Sequence, residues 1–264
     1  MIKVGVCGAC GKMGKEVVNA VIGADDMTLV CAVDINCVGE DIAEKVTGKP
    51  NGVKIVADLK KAIEESKPDV MVDFTQPSSI FENAKICLNA GVKPVIGTTG
   101  LSEEQISELK KLSQEKKVSA MIAPNFTTGA VLMMMFSKMA AKYFDNAEII
   151  ELHHNQKKDA PSGTAVKTAQ LMAEVKDDFQ AGNCAEIETI KSARGGLAPS
   201  NIRIHSVRMP GYIASQEVIF GGSGQVLKIR HDSMDRTCYM PGVKMAIRYV
   251  VDNDDFVYGL DNIL

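Results

Sequence analysis

Through the first half of the chain, short continuous apolar runs alternate with segments whose apolar residues recur every three or four positions. Residues 2–7, apolar apart from Lys3, read as a buried strand, and residues 28–33 are β-branched and continuous in apolar character, the pattern of strands buried on both faces. Between them Met13, Val17, Val18, Val21 and Ile22 stand at helical spacing. Residues 54–56, 70–74, 95–96 and 118–123 continue the strand series. Helices are predicted over 59–65, around 80–88, and beyond Ser102-Glu103-Glu104-Gln105, a capping box that leads into Ile106, Leu109 and Leu112. Doubly apolar strands, each followed by a helix, predict a Rossmann-like, doubly wound parallel sheet, an α/β domain.

After Pro124 the pattern changes. A helix is predicted over 129–144, with Leu132, Met135, Phe136, Met139 and Tyr143 along one face and the run Met133-Met134-Met135 read as core. A strand over 148–154, a polar loop, a helix over 164–176 and a long loop over 177–201 follow. Arg194-Gly195-Gly196 in that loop is read as exposed, the alternative being a lid. Runs at 202–207, 214–220 and 226–231 are separated by Met209-Pro210-Gly211 and Gly221-Gly222-Ser223-Gly224, which predicts antiparallel strands in an α+β domain with an antiparallel or mixed sheet. Residues 241–250 are helical in spacing and are expected to return to the first domain. The expected division is therefore 1–125 with 235–264, and 126–234.

Charge and composition narrow the function classes. Lys and Arg total 30 against 33 Asp and Glu, a net charge of −3, so nothing attracts nucleic acid or an anionic membrane in bulk. The longest apolar run, residues 130–136, is far short of the roughly 20 residues a membrane span needs. With no basic leader pattern at Met1-Ile2-Lys3, a cytoplasmic protein is expected. The 7 cysteines are odd in number and cannot all pair within the chain. Cys7 and Cys10 form one C-x-x-C with no second pair at zinc-finger spacing, so no metal is expected.

Gly8-Ala9-Cys10-Gly11-Lys12-Met13-Gly14 sits between the first strand and the first helix. Glycines there allow a pyrophosphate to approach the backbone, and the helix N-terminus offers it N–H groups. Asp34 lies about 20 residues on, at the end of strand two, where a carboxylate can accept hydrogen bonds from ribose hydroxyls. The loop departs from G-x-G-x-x-G in having Ala9 at the first glycine slot. Asp34 would repel a 2′-phosphate and neither Ile35 nor Asn36 is basic, although Lys12 could reach one, so NADH is favoured with NADPH use close behind. Asp73-Phe74-Thr75, Gly97-Thr98-Thr99-Gly100 and Ala123-Pro124-Asn125-Phe126 end further strands on the same cleft.

Residues 151–164 are the most informative stretch: Glu151-Leu152-His153-His154-Asn155-Gln156-Lys157-Lys158-Asp159-Ala160-Pro161-Ser162-Gly163-Thr164. Two of the 4 histidines end a strand, Lys157 follows, and Ser162 or Thr164 can cap the next helix with Gly163 leaving amides open to an anion. Proton transfer, cations and a helix terminus together suit reduction of a small carboxylated substrate. Adjacent strand residues face opposite ways, so His153 and His154 share a ligand only if the strand breaks at His154.

This segment resembles the E-x-H-H-x-x-K-x-D-A-P-S-G-T signature of the dihydrodipicolinate reductase family. The resemblance extends over the whole chain through the glycine loop, Asp73-Phe74-Thr75, Gly97-Thr98-Thr99-Gly100, Ala123-Pro124-Asn125-Phe126 and Arg230-His231-Asp232-Ser233. It implies NAD(P)H-dependent reduction of 4-hydroxy-tetrahydrodipicolinate, a small dicarboxylate cyclic imine, to tetrahydrodipicolinate in lysine biosynthesis via diaminopimelate. It further implies a homotetramer built through the sheets of the second, substrate-binding domain. By position, it implies that His153 and Lys157 are the catalytic proton-transfer groups. It likewise assigns substrate contacts to His154, Gly163 and Thr164, with Ser162 and Thr98 as additions. Gly8, Ala9, Cys10, Gly11, Lys12, Met13, Asp34, Phe74, Gly97, Thr98, Thr99, Ala123, Pro124, Asn125 and Phe126 are implied cofactor contacts. Closure about Phe126 and residues 233–236 is expected to accompany catalysis. The alternatives are another imino- or keto-acid reductase, which lacks a match over 151–164, and a non-catalytic NADH sensor, which would have no use for that segment.

Overall fold

The structure is a computed structural model and describes residues 1–180 and 185–264, so Cys184 and part of the 177–201 segment lie outside the described residues. The chain divides into two compact units, Met1–Thr127 with Tyr239–Leu264, and Thr128–Cys238.

The first unit is a seven-stranded sheet, parallel throughout, built from β1 (Ile2–Cys7), β2 (Met27–Val33), β3 (Ile55–Val56), β4 (Val70–Asp73), β5 (Lys93–Ile96), β6 (Ala120–Ile122) and β12 (Phe256–Tyr258) in the order β12-β6-β5-β4-β1-β2-β3. Chain order runs outward from β1 in both directions, which creates a topological switch between β1 and β4. The helices include α1 (Lys12–Ile22), α2 (Ile42–Thr47), α3 (Leu59–Ser66), α4 (Pro77–Asn89), α5 (Glu103–Lys116) and α8 (Met240–Asp252). The capping box at Ser102 forms as expected: its hydroxyl accepts the Gln105 amide while the Gln105 side chain returns to the Ser102 N–H. Helix α8 packs against α1, β4 and β5, joining the C-terminal residues to this unit. Helix α2 and strand β12 are additions to the expected series. Six and three residues are too few to establish a period.

The second unit is a five-stranded mixed sheet of β7 (Asn146–His153), β8 (Gly196–Leu197), β9 (Arg203–Arg208), β10 (Ala214–Gly222) and β11 (Gln225–Ser233), in the order β11-β10-β7-β9-β8. Helices α6 (Thr128–Ala141) and α7 (Gly163–Ala173) belong to it. Ala165, Ala169 and Met172 of α7 pack with Ile149, Ile204, Val218 and Phe220 on one sheet face.

Three expectations for this unit are corrected. The strands after residue 201 are not a consecutive antiparallel set: β9 pairs with β7 in parallel, and β10 lies antiparallel on the other side of β7. The excursion through α7 makes β7-α7-β9 a crossover unit, which delivers its second strand parallel to the first. The segment expected to be one long loop also contains β8 and a 3-10 turn at Pro199–Asn201. Arg194 is fastened there to Glu148 and Glu186, at 2.7 and 3.0 Å. Finally, α6 buries Ala130, Val131, Met133, Met134, Ser137 and Ala141, while Phe136 and Met139 are 50% and 61% exposed. The helix is apolar nearly all round, so its periodicity could not select a face.

Candidate active site

In the first unit the glycine turn follows β1 directly. Gly8 has φ +76°, and a Cβ on it would lie 2.6 Å from the Phe74 carbonyl oxygen. A Cβ on Gly14 would lie 2.0 Å from the Gly8 oxygen, so α1 enters against the turn at a distance only glycine allows. Gly11 caps α1 without a side-chain partner, leaving the first-turn amides around Lys12 and Met13 to face an anion. Ala9 is buried, so the missing glycine costs no access at that slot. Asp34, one residue beyond β2, accepts the Cys10 N–H through Oδ2 at 2.8 Å and the Asn36 N–H through Oδ1 at 2.8 Å. Ile35 beside it is 84% exposed.

The neighbouring strand ends converge on the same carboxyl edge. Asp73 closes β4, and its carboxylate accepts from Thr75 N and Oγ1, Asn83 Nδ2 and the Thr98 hydroxyl, the last at 3.2 Å. Burial pushes its carboxyl up, and those hydrogen bonds oppose the shift only in part. The Phe74 ring lies 5.8 Å from that of Phe126. It also covers Gly97, where a Cβ would come within 2.2 Å of the ring. Thr98, Thr99, Pro124 and Tyr258 line a cavity of about 100 Å³. Asn125 accepts the Thr127 N–H at 2.8 Å, and Ala123 donates its N–H to Ile96 at 3.0 Å.

Burial pushes the Cys7 thiol well up; burial, with a contact from Cys37, pushes that of Cys10 to about 12. Neither is a ready thiolate at neutral pH. Among the described residues no group of three or more His, Cys, Asp or Glu side chains could hold a metal ion.

In the second unit β7 stops at His153, so His154 is released from the strand's alternation, the condition required for both rings to face one ligand. Strand alternation places Ala147, Ile149, Glu151 and His153 on the face α7 covers, and the apolar layer ends at Ile149. Glu151 is fully buried. Its Oε2 meets His153 Nδ1 at 2.5 Å and Arg208 Nη1 at 2.8 Å. Its Oε1 accepts from Arg208 Nη2 at 2.7 Å and from the Ser162 N–H at 3.2 Å. Burial alone would raise this carboxyl. Hydrogen bonds from His153, Arg208 and Ser206 overcome it and hold the group at about 2.

Ser162 is buried and caps α7, accepting the Ala165 N–H at 3.2 Å, while Gly163 and Thr164 form the first helical residues. A Cβ on Gly163 would meet only open space. Lys157 Nζ forms a two-pronged pair with Asp159 at 2.8 and 2.9 Å, and Arg208 Nη2 donates to the Asp159 carbonyl. His154 is exposed, with Nδ1 accepting the Gln156 N–H at 3.2 Å.

The sequence-predicted residues thus fall into two groups, one at the carboxyl edge of the parallel sheet and one at the end of β7. Sequence reasoning missed Asp73, Glu151, Asp159 and Arg208 as working groups. For Glu151 a signal existed, since an acid two residues from Ile149 on the same strand face is aimed into a core. Arg208 carried none, being 57 residues from its partner.

A doubly wound nucleotide-binding unit combined with an α+β unit bearing a carboxylate-backed histidine defines a two-unit, nucleotide-dependent oxidoreductase. The family model "Dihydrodipicolinate reductase, N-terminus" matches residues 2–126, and "Dihydrodipicolinate reductase, C-terminus" matches residues 129–264. The chain belongs to this family. It is 52% identical over 269 residues to the 4-hydroxy-tetrahydrodipicolinate reductase of Picosynechococcus sp., covering 100% of this chain and 98% of that one. Against the enzyme of the same name from Listeria innocua it is 50% identical over 263 residues, with both chains fully covered. A solved structure described as dipicolinate-bound dihydrodipicolinate reductase from Paenisporosarcina sp. TG-14 superposes with a TM-score of 0.91 at 45% identity over 100% of both chains. An amine dehydrogenase from Mycobacterium smegmatis shares the fold alone, at a TM-score of 0.71 and 16% identity. The chain is accordingly a 4-hydroxy-tetrahydrodipicolinate reductase by family, an oxidoreductase whose first unit is a nucleotide-binding fold.

Proposed function

We propose that this chain uses NADH, with NADPH as a second cofactor, to reduce a cyclic dicarboxylate imine, 4-hydroxy-tetrahydrodipicolinate, to tetrahydrodipicolinate on the diaminopimelate route to lysine, the 4-hydroxyl leaving as water as the hydride and a proton are taken up. The observation that carries the reading is the pairing of the Glu151-backed His153 with the uncrowded amides of Gly163 and Thr164 on one small framework. The close Gly8–Gly14 turn and the side-chain-free start of α1 suit a pyrophosphate, and Asp34 suits an unphosphorylated ribose. Phe74, Gly97, Thr98, Thr99 and residues 123–126 stand at strand ends where the rest of such a cofactor would be held. A reduced nicotinamide supplies the hydride.

The chain's own residues do the rest. The amides of Gly163 and Thr164 bind one substrate carboxylate at the start of α7. Lys157 offers its ammonium to the other carboxylate or to proton delivery once Asp159 yields it. His154 adds a second polar edge beside them. His153, with Nδ1 committed to Glu151, exchanges a proton through Nε2 with the enamine-like product.

No helix among the described residues is long and apolar enough to cross a membrane. We assign the enzyme to the cytoplasm as a homotetramer. Helix α7 packs on the Ile149 and Val218 face of the five-stranded sheet, and the other face presents Ile150, Leu152 and Ile219 to a second copy. Light scattering of the purified chain tests the assembly. The decisive test of function is NADH absorbance. It falls on addition of freshly generated substrate and stays level with pyruvate or 2-oxoglutarate; a fall with the keto acids instead would sink the assignment.

A further inference from the structure

A carboxylate removed from water costs several kcal/mol, and an apolar side chain of similar size in its place is often at least as stable. Glu151 is nonetheless fully buried one step along β7 from the apolar layer, where another aliphatic residue would complete the core under α7. Its hydrogen bonds explain what it does there. Each oxygen takes one prong of the Arg208 guanidinium, His153 Nδ1 adds to Oε2 and the Ser162 N–H to Oε1, and the Ser206 side chain also bonds the carboxylate. Arg208 stands directly across from His153 on β9, and Ser206 across from Glu151. A planar, doubly bonded ion pair of this kind fixes orientation as well as distance.

We propose that Glu151, clamped by Arg208, is a positioning residue that sets the tautomer of His153 and the pose of the Ser162–Thr164 turn together. The inference rests on the proton-transfer reading of His153 above. An ionised carboxylate only accepts hydrogen bonds, so the proton on His153 sits at Nδ1 and Nε2 is the end that works. The Ser162 N–H is spent on Glu151 and its hydroxyl on the Ala165 amide. The anion-facing amides are therefore those of Gly163 and Thr164, held at a set height above β7. Arg208 is likewise engaged on Glu151 and the Asp159 carbonyl, so its charge steadies the site without serving as a substrate ligand.

The test compares the full chain with Glu151→Gln, the double variant Glu151→Gln/Arg208→Met, and His153→Ala. The expected result for Glu151→Gln is a kcat lower by about 100-fold, a raised substrate KM and an NADH affinity within about twofold of the parent. Nitrogen-15 spectra of the histidines should show His153 moving from the Nδ1–H form towards Nε2–H. If Glu151→Gln does not fold, the double variant, which removes both charges, carries the same expectation. Turnover within about twofold of the parent, or a turnover loss with the His153 tautomer unchanged, overturns the proposal. Unaltered turnover in His153→Ala would instead remove the proton-transfer reading, whereas loss there with full activity in Glu151→Gln removes this inference alone.

Discussion

The Asp34 carboxylate accepts the backbone N–H of Cys10 at 2.8 Å, so the acid at the end of β2 also braces the glycine turn. Asp34→Ala therefore removes the proposed ribose acceptor and a loop brace at once. NADH affinity should fall by about tenfold, the scale of one charge-assisted hydrogen bond. NADPH should lose less, because removing the negative charge relieves repulsion of its 2′-phosphate. Titration of both nucleotides checks this; equal losses would assign Asp34 to the loop alone.

Gly14 and the Gly8 carbonyl are in closer contact than any Cβ tolerates. Gly14→Ala must push α1 away from the turn, at a cost of about 1–3 kcal/mol. Thermal unfolding should show the loss, and nucleotide affinity should fall with it. An unshifted midpoint would mean that the turn opens without strain.

His153→Ala should reduce kcat by about 100-fold while leaving NADH affinity intact, since the residues proposed to hold the nucleotide belong to the other unit. Nucleotide binding measured by fluorescence separates the two quantities. Abolished NADH binding in a folded variant would reverse the assignment of roles.

Gly163→Val should raise the substrate KM by about tenfold with little change in stability, because a Cβ there meets no protein atom but stands beside the amides proposed to hold a carboxylate. An unchanged KM would move the anion site away from the start of α7.

The buried Glu151 carboxyl is held at about 2, below its ordinary 4.5. A group with a depressed folded value stabilises the fold fully above its unfolded value and loses that contribution as pH falls towards the folded one. The stabilisation should thus be complete above about pH 4.5 and erode between there and about pH 2. Thermal midpoints at several acidic pH values check this, with the double variant Glu151→Gln/Arg208→Met expected to show a shallower decline. Parallel declines would show that the pair contributes nothing to acid stability.

Much of this protein was legible along the chain because its signals are local. Doubly apolar strands between helices require a sheet covered on both sides. The Ser102 box caps its helix through backbone groups three residues away, and the turn at Gly8–Gly14 needs glycine for steric reasons internal to the turn. The signature at 151–164 likewise lies within one stretch of sequence. Tertiary structure decided what depends on distant partners. A strand's own residues report that it is buried, not beside which neighbour, so only the crossover through α7 placed β9 next to β7. An all-apolar α6 cannot state which side meets the core. The Glu151–Arg208 pair, closing over 57 residues, exists only once those strands are registered. It is there that a signature read as separate residues becomes one rigid group, because a buried charge must find all its donors in the fold around it.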